Sequence, residues 1–387
     1  MSRRLQWCAA LAAAGTLAVA GPGAAWSQVG PGLTLPPDGG NQRATVIQGM
    51  GLVRVSIDYS SPHVHSPAGE DRRGKIWGDK NVVPYGMATQ GVGACGPKCP
   101  WRGGANENTV FTTNHDIKVQ GQALPAGSYG LFFSPGPDEW TIIFSKTSTS
   151  WGSFFYDPKE DALRVTAKPE KGSYHEDLTY WFRDSKLEHA TAVLSWEDLD
   201  LPFAITVDDT DDLYIENIRR ELRNSPGFTW QGYNAAAQFC LQRKTHLEDG
   251  LHWAEQAAGP GVGQANFTTL MTLANLQEAT GKTEEAGKTR DKALHDSTAT
   301  ALDLHIAGRA LLAQKKNAEA LQVFELNAKL HPDSWVVHVG LGRGYAAQGR
   351  RKEAIAEFKR ALAMGPDELN RASLEDLIKK LEAGKDI

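Results

Sequence analysis

Gly308 and Gly342 stand 34 residues apart, and the residues around them recur in the same register. Leu341, Gly342, Tyr345, Ala354, Phe358, Ala361 and Pro366 are matched one period earlier by Ala307, Gly308, Leu311, Ala320, Phe324 and Pro332. A further step back, Leu273, Ala274, Ala286 and Ala293 keep a weaker version of the pattern. A unit of this length holding two amphipathic helices cannot bury its apolar face alone, so it must stack on copies of itself. That excludes a single globular core for this half of the chain and predicts an all-α solenoid. Residues 234–243 and 247–258 predict one more, divergent helix pair. Residues 373–383, apolar at Leu374, Leu377, Ile378 and Leu381, predict a helix that closes the open end.

The first half obeys a different period. Residues 52–59 alternate apolar and polar, and short runs follow at 109–113, 116–119, 127–134, 140–145, 163–167, 178–182, 190–196 and 203–207, separated by Gly, Pro, Asp and Asn. Such spacing predicts an antiparallel β-sandwich, jelly-roll-like in its many short strands. The period changes at Asp208-Asp209-Thr210-Asp211-Asp212, which lacks the Gly and Glu of a calcium loop and predicts a solvated linker. The expected organisation is a signal segment at 1–27, a β domain at 28–208, a linker at 209–230 and a helical repeat domain at 231–387.

The N-terminus carries Arg3-Arg4, an apolar Ala/Leu-rich run and then small residues, the three parts of a secretory signal, with cleavage expected near Ala20 or Ser27. The run is too short to span a bilayer, so the expectation is a periplasmic or secreted protein with no membrane span in its mature chain. A formal charge of −5 argues against nucleic acid as a partner. Of four cysteines, Cys8 lies within the signal. Cys95 and Cys99 are separated by Gly-Pro-Lys, a spacing that suits a loop disulfide in an oxidising compartment, with a metal site or reactive thiols as the other readings. Cys240, between Phe239 and Leu241, is expected as a buried apolar residue.

The offsets of the helical half resemble the tetratricopeptide repeat, which implies a concave face that holds a protein or peptide partner, or serves as a scaffold. In the β half, Ile57-Asp-Tyr-Ser60, Arg73-Gly-Lys-Ile-Trp-Gly78, Val83-Pro-Tyr-Gly86, Trp101-Arg102, Gly104-Ala-Asn-Glu-Asn-Thr109, Leu124-Pro-Ala-Gly-Ser-Tyr129, Asp138-Glu-Trp-Thr-Ile-Ile143 and Trp151-Gly152 occur in order. Together they resemble the secreted bacterial family called domain of unknown function 2911. That resemblance implies an exported, mostly β domain, often joined to a helical region, and carries no reaction. Departures from the family pattern are the insertion between Gly86 and Trp101 and the histidines of Ser61-Pro-His-Val-His65.

Chemistry-bearing side chains concentrate at Tyr59, Arg73, Lys75, Tyr85, Trp101, Arg102, Asn106 and Glu107. An Arg fork beside aromatic faces holds a carboxylate, a phosphate or a sugar ring, whereas Arg102 paired with Glu107 would merely tie down a long loop. His63 and His65, two residues apart on an extended segment, point to one side and could recruit a divalent metal with His115 or a nearby carboxylate. No nucleophile elbow, zinc helix, dinucleotide fingerprint or phosphate loop is present. The leading expectation is therefore a non-enzymatic, exported binding or scaffolding protein without a cofactor. The alternative is a metal-dependent hydrolase built on the His63/His65 loop, and a third option is thiol redox chemistry at Cys95 and Cys99.

Overall fold

The computed structural model describes residues 41–89 and 94–387; the signal expected at 1–27 lies outside the described residues. The chain divides into two compact units between Asp208 and Asp209.

The first unit holds β1 (Gln42–Met50), β2 (Val53–Ser61), β3 (Val110–Thr113), β4 (Ile117–Val119), β5 (Gln122–Leu124), β6 (Gly127–Ser134), β7 (Trp140–Ser145), β8 (Asp161–Ala167), β9 (Glu170–Arg183) and β10 (His189–Thr206). Six of them form one antiparallel sheet in the order β1-β2-β3-β6-β7-β8, and the other four pair as β5-β4-β10-β9. The predicted sandwich is present. Alternation explains the inner faces: Val53, Val55, Ile57 and Tyr59 of β2 are buried while Arg54 between them is exposed. Between the sheets Trp77, Trp101, Trp140 and Trp196 pack edge to face and stacked, with ring centroids 5.0 Å apart for Trp77 and Trp140 and 5.6 Å for Trp77 and Trp196.

β7 departs from simple alternation because it is covered on both sides. Trp140, Ile142 and Phe144 face the interior, and Ile143 faces the opposite way beside Phe132 of β6. That outer pair is roofed by Tyr156 and by the predicted disulfide, Cys95 to Cys99, whose Cα atoms are 5.1 Å apart. Backbone hydrogen bonds between Thr89 and Cys99, 3.0 and 3.1 Å, close the base of this loop. The disulfide-closed turn at Cys95–Cys99 is thus a lid over apolar surface on the six-stranded sheet.

The second unit begins where a linker was expected. Thr210–Glu221 is a helix, α1, because Asp211 and Asp212 occupy its first turn, where carboxylates oppose the helix dipole, and each is paired, with Arg243 and His246. Four antiparallel pairs follow: α2 (Trp230–Arg243) with α3 (Leu247–Ala258), α4 (Phe267–Ala279) with α5 (Thr283–Leu294), α6 (Ala301–Ala313) with α7 (Asn317–Leu330), and α8 (Trp335–Ala347) with α9 (Arg351–Ala363). The predicted closing helix is α10 (Glu368–Glu382), whose Leu374, Leu377, Ile378 and Leu381 bury against Ala354, Phe358 and Ala361. Side-chain oxygens of Asn266, Thr300 and Asp367 cap α4, α6 and α10.

The repeat signature has a steric meaning. A Cβ at Gly308 would sit 2.3 Å from the ring of Phe324, and one at Gly342 would sit 2.5 Å from Phe358; both rings are fully buried. Cys240 is also fully buried, and burial pushes its thiol up to about 11.

Gly308→Val should cost the helical unit about 2 kcal/mol by overpacking against Phe324, read from urea unfolding followed by circular dichroism. Gly287→Ala, in a helix with open space around it, should instead be neutral or stabilising by up to about 1 kcal/mol. Replacing Cys95 and Cys99 together by Ala should cost the β unit about 2 kcal/mol, the chain-entropy value for a loop this short, read from the β unit's own unfolding transition.

Candidate functional site

The eight residues singled out in the β half do not form one patch. Tyr59 and Trp101 belong to the core. Trp101 is 8% exposed, within the tryptophan cluster, so it has no free face for a ligand to stack on. Tyr59 is 5% exposed with its ring centroid 4.8 Å from Tyr180. Burial raises the pKa of both tyrosines. Lys75 is exposed, and Tyr85 is partly buried beside Gly78.

Arg102, Asn106 and Glu107 do lie together, in a loop set by Gly103 and Gly104. Gly103 has φ +65°, and a Cβ there would meet Phe133 at 2.5 Å and the Tyr180 hydroxyl at 2.7 Å. Its carbonyl accepts from the Tyr180 hydroxyl at 2.8 Å and from Thr109 at 3.1 Å. The guanidinium of Arg102 donates to the Asn106 carbonyl and lies over Phe154, 5.2 Å from the ring centroid. The expected Arg102 to Glu107 pair is replaced by a different one: Glu107 accepts from Ser60 at 3.2 Å and meets Arg43 at 3.5 Å. Burial lowers the pKa of Arg102. This guanidinium ties the loop down, as the structural reading of the sequence required, through the backbone rather than through a carboxylate.

Around His63 and His65 there is a denser polar cluster than the sequence suggested. β9 begins eight residues before the run at 178–182, and its first half brings Tyr174, Glu176 and Asp177 alongside the histidine segment. His63 pairs with Asp177. His65 places Nδ1 3.0 Å from Glu176 and Nε2 3.7 Å from Asp71, while its backbone N–H donates to Glu176 at 2.8 Å. Tyr174 donates to Glu176 at 2.6 Å, and Arg73 pairs with Asp71 at 3.1 Å with its guanidinium 5.9 Å from the Tyr174 ring centroid. Donation from Tyr174 and the His65 backbone pulls Glu176 down to about 2, and the same bond pushes Tyr174 up to about 12. Arg73's bonds lower Asp71.

The two histidines therefore engage separate carboxylates. His115 sits in the turn between β3 and β4, its backbone carbonyl taken by Thr113 and its Nδ1 buried without a partner. The metal set of His63, His65 and His115 does not assemble, and among the described residues no group of three or more His, Cys, Asp or Glu is placed to hold a metal ion. The missed residues, Tyr174 and Glu176, did leave a signal: on a strand they share a face.

In the helical unit, α6 carries Leu302 and Ile306, each 56% exposed. One turn apart on one helix face, they form an apolar pair open to solvent.

The Glu176 carboxylate stays ionised in the folded chain until about pH 2, whereas an unfolded chain protonates it near its ordinary value of 4.5. Its contribution to stability is thus complete above about 4.5 and is lost as pH falls towards 2. Glu176→Gln should flatten the acid limb of the stability profile in that window, by a small amount because the pair is exposed.

Several solved structures are similar to part of this chain. They include MamA (16% identity, TM-score 0.30, 41% of this chain and 89% of that one). A thermophilic tetratricopeptide protein of Thermus thermophilus gives 16% identity and TM-score 0.31 over 44% of this chain and 90% of that one. YrrB, described as a TPR protein with an unusual peptide-binding site, gives 15% identity and TM-score 0.29 over 44% and 85%. No curated protein matches the chain. The family described as "Protein of unknown function (DUF2911)" matches residues 41–205, and a tetratricopeptide repeat matches 311–378. The chain thus carries a DUF2911 domain followed by tetratricopeptide repeats.

Proposed function

We propose that this is an exported binding or scaffolding protein whose tetratricopeptide stack docks a partner protein or peptide, while the β unit engages a ligand or an envelope component. The observation that carries the reading is the uncovered apolar pair, Leu302 and Ile306, on the first helix of a repeat that buries Leu304 and Gly308 on its packed side. A large apolar side chain held in water by a rigid helix is a docking feature when it has a like neighbour one turn away. Export is supported by the charged, apolar and small-residue order of the first 27 residues. In the β unit the polar side chains of the exposed cluster already satisfy one another, which favours recognition by a preset surface over bond-making chemistry.

The full-length chain, expressed in its own host and cross-linked in situ, should recover a partner whose yield falls about tenfold in the Leu302→Ser, Ile306→Ser double variant. Equal recovery by both chains would remove the docking role from this face. Fractionation of the same cells should place the processed chain outside the cytoplasm; an unprocessed cytoplasmic chain would remove the exported location.

A further inference from the structure

Beside the apolar pair on α6 stands a row of cationic side chains in repeat register. Arg309 on α6 and Arg343 on α8 are 34 residues apart, so the repeat places them at equivalent positions on neighbouring first helices. Asn275 continues the row on α4 and accepts from Arg290 at 3.4 Å. Among the described residues, arginines mostly pair: Arg219, Arg243, Arg290, Arg350 and Arg360 each meet a carboxylate. Arg309, which is exposed, and Arg343, which is half-buried, are in no ion pair among the described residues, and the Nε of Arg343 is buried without a hydrogen-bond partner. His305, one turn before Arg309 on the same helix, is only 7% exposed, with Nδ1 also unpartnered.

Burial and the Arg309 charge both lower the pKa of Arg343. His305 is pushed down to about 4, first by burial and then by the charges of Arg343 and Arg309. The three groups are therefore near enough to feel one another, and no carboxylate among the described residues answers the two arginines. Buried donors and like charges gathered without an acceptor are costly, and an arriving anion relieves both costs at once.

We propose that Arg309, Arg343 and His305 receive the side-chain carboxylates of an acidic, extended segment of a partner protein, whose apolar side chains rest on Leu302 and Ile306. Guanidinium forks match carboxylate geometry. A row repeating along the stack, next to apolar surface, suits a peptide that presents Glu or Asp alternately with apolar residues. This rests on the docking reading above and names the chemistry of the docked segment.

The test uses the full chain and fluorescence anisotropy with a short peptide, capped at both ends, carrying Glu and Leu in a Gly/Ser background. It should bind about tenfold tighter than the same peptide with Gln in place of Glu, and the difference should shrink as salt is added. Arg309→Gln should abolish the preference, Arg309→Glu should transfer it to a peptide carrying Lys, and Arg343→Lys should keep part of what Arg343→Gln loses, with circular dichroism confirming each fold. Equal affinity for the Glu and Gln peptides, or no binding of either, overturns the proposal, as does displacement of the Glu peptide by inorganic phosphate at equal concentration. A partner captured equally by wild type and Arg309→Gln but lost by the Leu302→Ser, Ile306→Ser variant would overturn the acidic assignment and leave docking intact.

Discussion

Close approach of packed elements, at places where only a hydrogen atom fits, is the constraint on which both units depend. In the helical unit the rings of Phe324 and Phe358 occupy notches that exist because Gly308 and Gly342 lack a Cβ. Each such contact sets the distance between two helices, and repeating it sets the translation from one pair to the next. That translation is what brings Arg309 and Arg343 into register on one side. In the β unit Gly103 plays the corresponding part, letting the loop lie against Phe133 and Tyr180 so that Arg102 can fasten it from the other side.

The helical half was legible because its signal is steric and periodic: a small residue on one helix and an aromatic on the next must recur together. The strands at 127–134 and 140–145 were legible for a similar reason, their apolar runs being bounded by turns. β1 was not, because Gln42, Arg43 and Gln48 on an edge strand give no clean alternation. Nor was the continuity of β9 and β10. Their outer halves extend through charged residues, and β10 crosses irregular pairing at Ser195, Glu197 and Leu199. Sheet pairing there is held by backbone bonds, which leave no trace in hydropathy.

The candidate sites divide along the same line. Arg102, Asn106 and Glu107 were brought together as local sequence suggested, since a Gly-Gly turn needs no distant partner. Trp101 was misplaced because a tryptophan beside an arginine reads the same whether its ring faces solvent or three other tryptophans. Asp177 and Glu176, which meet His63 and His65, come from β9, more than a hundred residues away, where sequence spacing says nothing about distance. At Glu176 and Asp71 the accepted hydrogen bonds outweigh the desolvation that favours a protonated carboxyl. Glu176 is thus stabilised as the anion, which makes it a poor proton donor and a good structural tie.

The lid formed by Cys95 and Cys99 makes the cover of the sheet face depend on redox state. Phe132, Ile143 and Tyr156 pack beneath it, and the cross-link persists only where thiols are oxidised. With the thiols reduced, the backbone bonds between Thr89 and Cys99 and the packing itself would be all that holds the roof in place. How firmly this apolar face is covered is therefore set by the chain's surroundings as well as by its sequence.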